Sequence, residues 1–221
     1  PHKPHGVVTA MADEEEVPTG PTAPKCHIVL TSKVAYPDES PTGYWVGDVA
    51  RACIEFDKHG WECDFASVEG TAAADQVSID MATAETKEWF TEEKKALLAE
   101  TKKLADIVEG GTAAADYQAI YFAGGFGALF DFPECAEAQT LVKAFLDAEK
   151  VVAAVSAGTI VLTGIPGEGE AKLLDGKECT GTGSGQRGSG APSDLSLRDN
   201  PLLPCSSSVF EKACHVVNSY T

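Results

Sequence analysis

Two strand-to-turn-to-helix junctions lie close together in residues 117–165, and they restrict the fold more than any other feature of the chain. The first runs Ala119-Ile120-Tyr121-Phe122 into Gly124-Gly125-Phe126-Gly127, and the second runs Val151–Val155 into Ser156-Ala157-Gly158. Each apolar run is short, rich in β-branched and aromatic residues, and stops at small residues. That pattern predicts a strand buried on both faces rather than an amphipathic one. Both junctions are followed by helical periodicity, with a helix predicted over Glu134–Ala148 between them and another opening at Ser156. Strands that alternate with helices pack as a parallel, doubly wound sheet with right-handed crossovers. The fold class expected is α/β and flavodoxin-like, with helices on both faces.

The rest of the chain fits the same plan. Cys26–Thr31 reads as a central strand, Trp45–Lys58 as an amphipathic helix ended by Gly60, and Glu62–Ser67 as the next strand. Glu69–Asp80 reads as a loop. Thr83–Val108 carries helical periodicity up to Gly110-Gly111, two glycines that stop a helix. Asn200–Ala213 is a candidate final helix. Residues 1–24 form an acidic, Pro-rich tail, residues 25–221 one α/β domain, and residues 182–193 a Gly/Ser-rich loop within it.

Charge and cysteine usage bound the partners. The net charge is −17 over 221 residues. Such a surface repels phosphate backbones and anionic lipid, so no nucleic-acid partner is expected. No apolar run approaches the roughly 20 residues that cross a bilayer, so no membrane insertion is expected. The seven cysteines include no C-x-x-C pair, so no metal site is expected, and nothing in the sequence calls for a cofactor. Scattered cysteines on predicted strands and helix faces act as small hydrophobes. With no secretory-type apolar stretch in residues 1–24, they point to a reducing intracellular compartment, either cytoplasm or an organelle lumen reached after transit-peptide removal. His27 reads as a satisfied core histidine inside its strand. Cys135, at the start of a helix, is read as structural, with a somewhat acidic thiol favoured by the helix N-terminus as the alternative.

Several motifs, in order, resemble the ThiJ/PfpI superfamily, which includes a parkinsonism-associated deglycase, glyoxalase III enzymes and a heat-shock chaperone branch. Gly124-Gly125-Phe126-Gly127 resembles the family's G-G-H-G, and Val155-Ser156-Ala157-Gly158 resembles its x-C-H-G. Thr42-Gly43-Tyr44-Trp45-Val46-Gly47-Asp48 resembles T-G-x-W/F-x-x-E. Trp61–Ser67, Leu129–Pro133 and Gly176–Gly181 resemble three further family segments, so the likeness covers roughly residues 25–181.

The resemblance implies a site at Ser156 and Asp48, with Gly124, Gly125, Phe126, Ala157 and Gly158 around it. It places the family cysteine at Ser156, the histidine after it at Ala157, the histidine of G-G-H-G at Phe126, and the helix glutamate at Asp48. The chain departs at all four polar positions. A serine hydroxyl needs an adjacent base, and Ala157 supplies none. Ser156 is therefore read as a nucleophile or as a ligand hydrogen-bonder, and Asp48 as a proton-handling carboxyl or as a first-turn acid that favours the helix N-terminus. The glycine and Ala157 amides are candidate donors for a carboxylate or oxyanion. Phe126 is read as filling the pocket or as packing on a partner. A hydrolase-type order of Ser156, an aspartate and His215 is disfavoured, since Ala154–Gly158 lacks the first glycine of that elbow.

Three functions follow. The first is a degenerate family member serving as a binding or structural subunit, with a homodimer or larger assembly as its setting. The second is an enzyme, glyoxalase III-like, hydratase or hydrolase, using Ser156 and Asp48 on a small carbonyl or carboxylate compound. The third is a holdase chaperone.

Overall fold

The computed structural model describes residues 23–111, 113–167 and 171–175. Its centre is a five-stranded sheet, all of whose described pairings are parallel. The strands are β1 (Lys25–Leu30), β2 (Glu62–Ser67), β3 (Lys102–Lys103), β4 (Ala119–Phe122) and β5 (Val151–Ala154). They lie in the order β3-β2-β1-β4-β5. The chain leaves β1 in one direction for β2 and β3, then crosses back to β4 and β5. The reversal between β1 and β4 is a topological switch point, where such sheets bind ligands beyond the carboxyl ends of the strands.

Side chains of β1 alternate between two cores. Cys26, Ile28 and Leu30 join Val46, Val49 and Cys53 of helix α1 (Val46–Lys58) in one apolar cluster. Val29 joins Ile120, Phe122 and the later helices in the other. Helix α1 has no side-chain N-cap hydrogen bond. A missing cap costs about 1 kcal/mol, whereas burying one Val contributes about 1.5–3 kcal/mol, so packing of the apolar stripe forms this helix. Gly60, at φ 71, turns the chain away from its end.

The segment Thr83–Val108 departs from the single predicted helix. It divides into α3 (Ala84–Trp89), α4 (Glu92–Ala99), β3 and α5 (Leu104–Gly110). Thr83 and Thr91 are N-caps whose side chains accept from the Thr86 and Lys94 amides. A capping threonine competes with continuation of the helix before it. Beyond α4, Glu100 is extended, and Lys102–Lys103 pair with Ala66–Ser67. The Glu69–Asp80 loop ends in a short helix, α2 (Gln76–Asp80), capped by Asp75. After α5 come α6 (Ala113–Asp116), α7 (Ala128–Asp131) and α8 (Ala136–Asp147). A 3-10 turn over Phe132–Glu134 delays the start of α8 relative to the expected Glu134. Residues 156–163 wind as a 3-10 helix rather than an α-helix. Asn200–Ala213 and residues 182–193 lie outside the described residues. Among the described residues no helix is long and apolar enough to cross a membrane.

His27 is a core histidine, but it is not a satisfied one. It is 1% exposed, neither ring nitrogen has a hydrogen-bond partner, and its ring stacks on Tyr117 with centroids 4.5 Å apart. Burial pushes it down to about 4, with Asp64 opposing and Lys102 reinforcing the shift. An unfolded histidine takes up its proton near 6.5, so between pH 6.5 and 4 the unfolded chain binds the extra proton and this group's stability contribution falls with pH. His27→Phe keeps the stacking partner and removes that linkage. Urea unfolding of variant and natural chain is expected to show a stability difference that widens by ~3 kcal/mol, in favour of Phe, between pH 7 and pH 4. Parallel pH profiles would refute this.

Candidate active site at the strand ends

Three loops meet beyond the carboxyl ends of β1, β4 and β5. The loop after β1 is docked by the Trp45 amide, which donates to the Gly124 carbonyl at 2.8 Å, and by the Tyr44 amide, which donates to Ala73. This places Asp48, in the first turn of α1, under the β4 turn, where it is 8% exposed. Gly124 sits between Asp48 and Ser156. A Cβ there would lie 2.3 Å from Asp48 Oδ2, 2.7 Å from Ser156 Cβ and 3.1 Å from Ser156 Oγ. Only a residue without a side chain lets the carboxyl and the hydroxyl share this space.

Ser156 has φ 52, a left-handed conformation that a non-glycine residue adopts at a cost on the order of 1–3 kcal/mol. The elbow is held by the Gly158 amide, which donates to Val155 at 2.9 Å, and by Thr159 Oγ1, which donates to the Ser156 carbonyl at 2.7 Å. Ser156 is exposed at its tip. Gly158 is buried against the carbonyls of Phe122 and Ala123, which stand 2.6 Å and 2.5 Å from where a Cβ would be. Its amide is spent on Val155, so Gly158 shapes the turn and does not serve as the ligand donor expected of it. The Gly125 and Phe126 amides have no backbone or side-chain acceptor among the described residues. They form a pair of unclaimed donors at this end of the sheet.

The electrostatics centre on Asp48. Burial pushes its carboxyl up, against the pull of the Arg51 guanidinium and the Gly124 amide. Oδ1 faces Arg51 Nη2 at 3.5 Å, while Oδ2 is buried with no hydrogen-bond partner. The Tyr121 hydroxyl donates to the Asp48 carbonyl at 3.0 Å. Phe126 and Ala157 are half-buried against the core cluster that holds Phe122 and Ile160.

Sequence reasoning passed over Arg51, Tyr121 and Asp131. The Asp48/Arg51 spacing of i,i+3 was the available signal for Arg51. Asp131 accepts from Thr31 Oγ1, Ser32 N and Lys33 N at 2.7, 2.8 and 3.2 Å, fixing the loop after β1 to α7. Burial pushes it up to about 6 despite those donors. Cys135 packs in the core, in keeping with its structural reading, and its thiol is not the acidic one of the alternative. It caps α8 by accepting from the Ala138 amide, but burial dominates and pushes its thiol up to about 11.

A parallel sheet with a strained elbow and a buried acid at its switch point defines a flavodoxin-like α/β domain. A model described as the DJ-1/PfpI family matches residues 51–187, taking in both glycine turns and the elbow but starting just after Asp48. The chain belongs to the DJ-1/PfpI family. It is 31% identical over 166 residues to Glyoxalase 3 of Candida albicans, covering 71% of this chain and 68% of the relative. It is 31% identical over 150 residues to a probable glutathione-independent glyoxalase of Saccharomyces cerevisiae, covering 66% of this chain and 62% of the length of that relative. The crystal structure of glyoxalase III from Candida albicans is similar with a TM-score of 0.61 at 30% identity, over 72% of this chain and 67% of that one.

Proposed function

We propose that this chain is a DJ-1/PfpI-family domain that keeps the elbow as a binding site for a small carboxylate or carbonyl compound, lacks thiol-dependent glyoxalase chemistry, and works as a binding or structural subunit. One observation carries this reading: Ser156 has no base. Its hydroxyl makes no hydrogen bond to any described side chain, and residues 126 and 157 are Phe and Ala. The carboxyl across Gly124 from it is Asp48, which burial pushes up from the usual carboxylate range and which makes no hydrogen bond to the Ser156 hydroxyl. Losing base assistance costs about 10²–10⁴-fold. The unclaimed Gly125 and Phe126 amides support binding of an anion or a polarised carbonyl. The test is lactate formation from methylglyoxal by the natural chain, beside a thermal-shift titration with pyruvate and lactate. No turnover with a concentration-dependent rise in melting temperature is expected. Turnover that Ser156→Ala abolishes would overturn the reading.

A second reading has its own observation. Asp48 Oδ2 is a buried oxygen without a partner beside an exposed, strained Ser156. Unsatisfied buried groups and backbone strain cluster where chemistry is done. A protonated Asp48 would act as an acid toward a substrate oxygen held by the Gly125 and Phe126 amides, in a hydratase or lyase step. It predicts that Asp48→Asn removes turnover while leaving binding intact.

A further inference from the structure

The unclaimed Gly125 and Phe126 amides offer donors for a ligand oxygen, but amides do not tell a carboxylate from a neutral carbonyl, since both oxygens accept from them. The chain as a whole repels anions, with a net charge of −17. A carboxylate ligand therefore needs a local cation at this edge of the sheet, and Arg51 stands there.

Arg51 lies in the second turn of α1 and is oriented by its own helix. Its Nε donates to the Gly47 carbonyl at 3.0 Å, which turns the guanidinium back toward the helix N-terminus. That end of α1 is the one fixed to the β4 turn by the Trp45 amide on the Gly124 carbonyl. The guanidinium and the Trp45 indole both border the bare Gly47, with Arg51 Nη2 and Trp45 Nε1 each 3.5 Å from where a Cβ would be. Nη2 is also 3.5 Å from Asp48 Oδ1. A close charge-assisted bond measures about 2.7–2.9 Å. Nη1 makes no hydrogen bond to any described residue, and the side chain is 65% exposed. The direction of the guanidinium is set while most of its donors stay free.

Asp48 supplies the second observation. It is 8% exposed, and its Oδ2 is buried without a partner, facing the Gly124 gap that it shares with Ser156. Arg51 thus sits on the outer side of a carboxyl whose inner oxygen is turned to the elbow.

We propose that Arg51 determines the ligand class of this site, selecting a small carboxylate over a neutral carbonyl compound. The assignment deepens the reading of the elbow as a binding site and rests on it. The Gly125 and Phe126 amides take a carbonyl oxygen, and Arg51 takes the charge. An arginine suits this role because its planar fork meets both oxygens of a carboxylate. Asp48 is the group that opposes it, since an ionised carboxylate there competes for Arg51 and repels an anion. Burial pushes the Asp48 carboxyl up, which lessens that repulsion, and the long Oδ1 contact leaves Nη2 able to turn to a ligand. An exposed i,i+3 ion pair contributes little to stability, so Arg51→Gln is expected to keep the melting temperature of the natural chain.

The test titrates the full isotope-labelled chain with pyruvate and with pyruvamide, its neutral amide, and follows the Gly125 and Phe126 amides by NMR. Both compounds are expected to move those amides, with pyruvate binding about 10-fold or more tighter. Arg51→Gln is expected to weaken pyruvate to the level of pyruvamide and to leave pyruvamide unchanged. Arg51→Lys, which keeps the charge but not the fork, is expected to recover part of the difference. Equal affinities in the natural chain, or an Arg51→Gln variant that weakens both compounds alike, would overturn the role of Arg51 and leave the binding site standing. If neither compound moves the two amides, the proposal and the binding reading beneath it fall together.

Discussion

Lactate is expected to form from methylglyoxal in the presence of the Ser156→Cys/Ala157→His variant, at least about 10²-fold faster than with the natural chain. The scaffold such a thiol needs is already in place. The Ser156 φ of 52 is imposed by backbone bonds from Gly158 and by Thr159 on the carbonyl of residue 156, none of which uses the serine side chain. A thiol at this tip stands at the start of the 3-10 helix, next to a carboxyl separated from it only by the missing side chain of Gly124. A thiolate is a far better nucleophile at neutral pH than a hydroxyl without a base, and the introduced histidine stabilises it. Time courses of lactate release, with Ser156→Cys alone as an intermediate case, measure the gain. Equal rates in the natural and double-variant proteins would remove the reading that missing side chains, rather than a missing scaffold, silence this site.

Gly125→Ala is expected to destabilise the protein by about 3 kcal/mol or more, lowering its melting temperature by roughly 6–12 °C, and to abolish ligand binding. Gly125 has φ 117, where side-chain-bearing residues are strained. A Cβ would also meet Gly43 O at 2.2 Å, Tyr44 Cα at 2.6 Å and Trp45 N at 2.7 Å. All three are backbone atoms, so no rotamer change relieves the clash. The loop forced away is the one that delivers Asp48, so stability and the site fail together. Gly60→Ala is the control: φ is 71, but nothing lies within 4 Å of its Cβ position, and a loss of only about 1 kcal/mol is expected. Similar losses at the two positions, read by calorimetry, would refute the packing argument.

The buried strands were legible because each is short, apolar on both faces and followed by a turn. The expected Glu62–Ser67 and Ala119–Phe122 strands match β2 and β4, and Cys26–Thr31 differs from β1 by one residue at each end. Helix α1 was legible from its stripe of Val46, Val49 and Cys53. Residues 83–108 misled because helical periodicity persists through Thr91 and Glu100. Whether a threonine there continues a helix or caps the next depends on where the chain must go, and here it must place Lys102–Lys103 beside β2.

The sequence by itself determined the family, the parallel sheet, the position of the elbow and the absence of cysteine and histidine from its tip, since all of these are local patterns. Only the tertiary structure decided how distant groups meet. Asp48 and Ser156 come together because crossovers bring the ends of β1, β4 and β5 to one edge and Gly124 leaves room between them. Burial then decides what polar groups do: it raises the Asp48 carboxyl and leaves His27 without a partner. Local spacing specifies which face a residue occupies. Desolvation and partnership depend on what packs against that face from elsewhere in the chain.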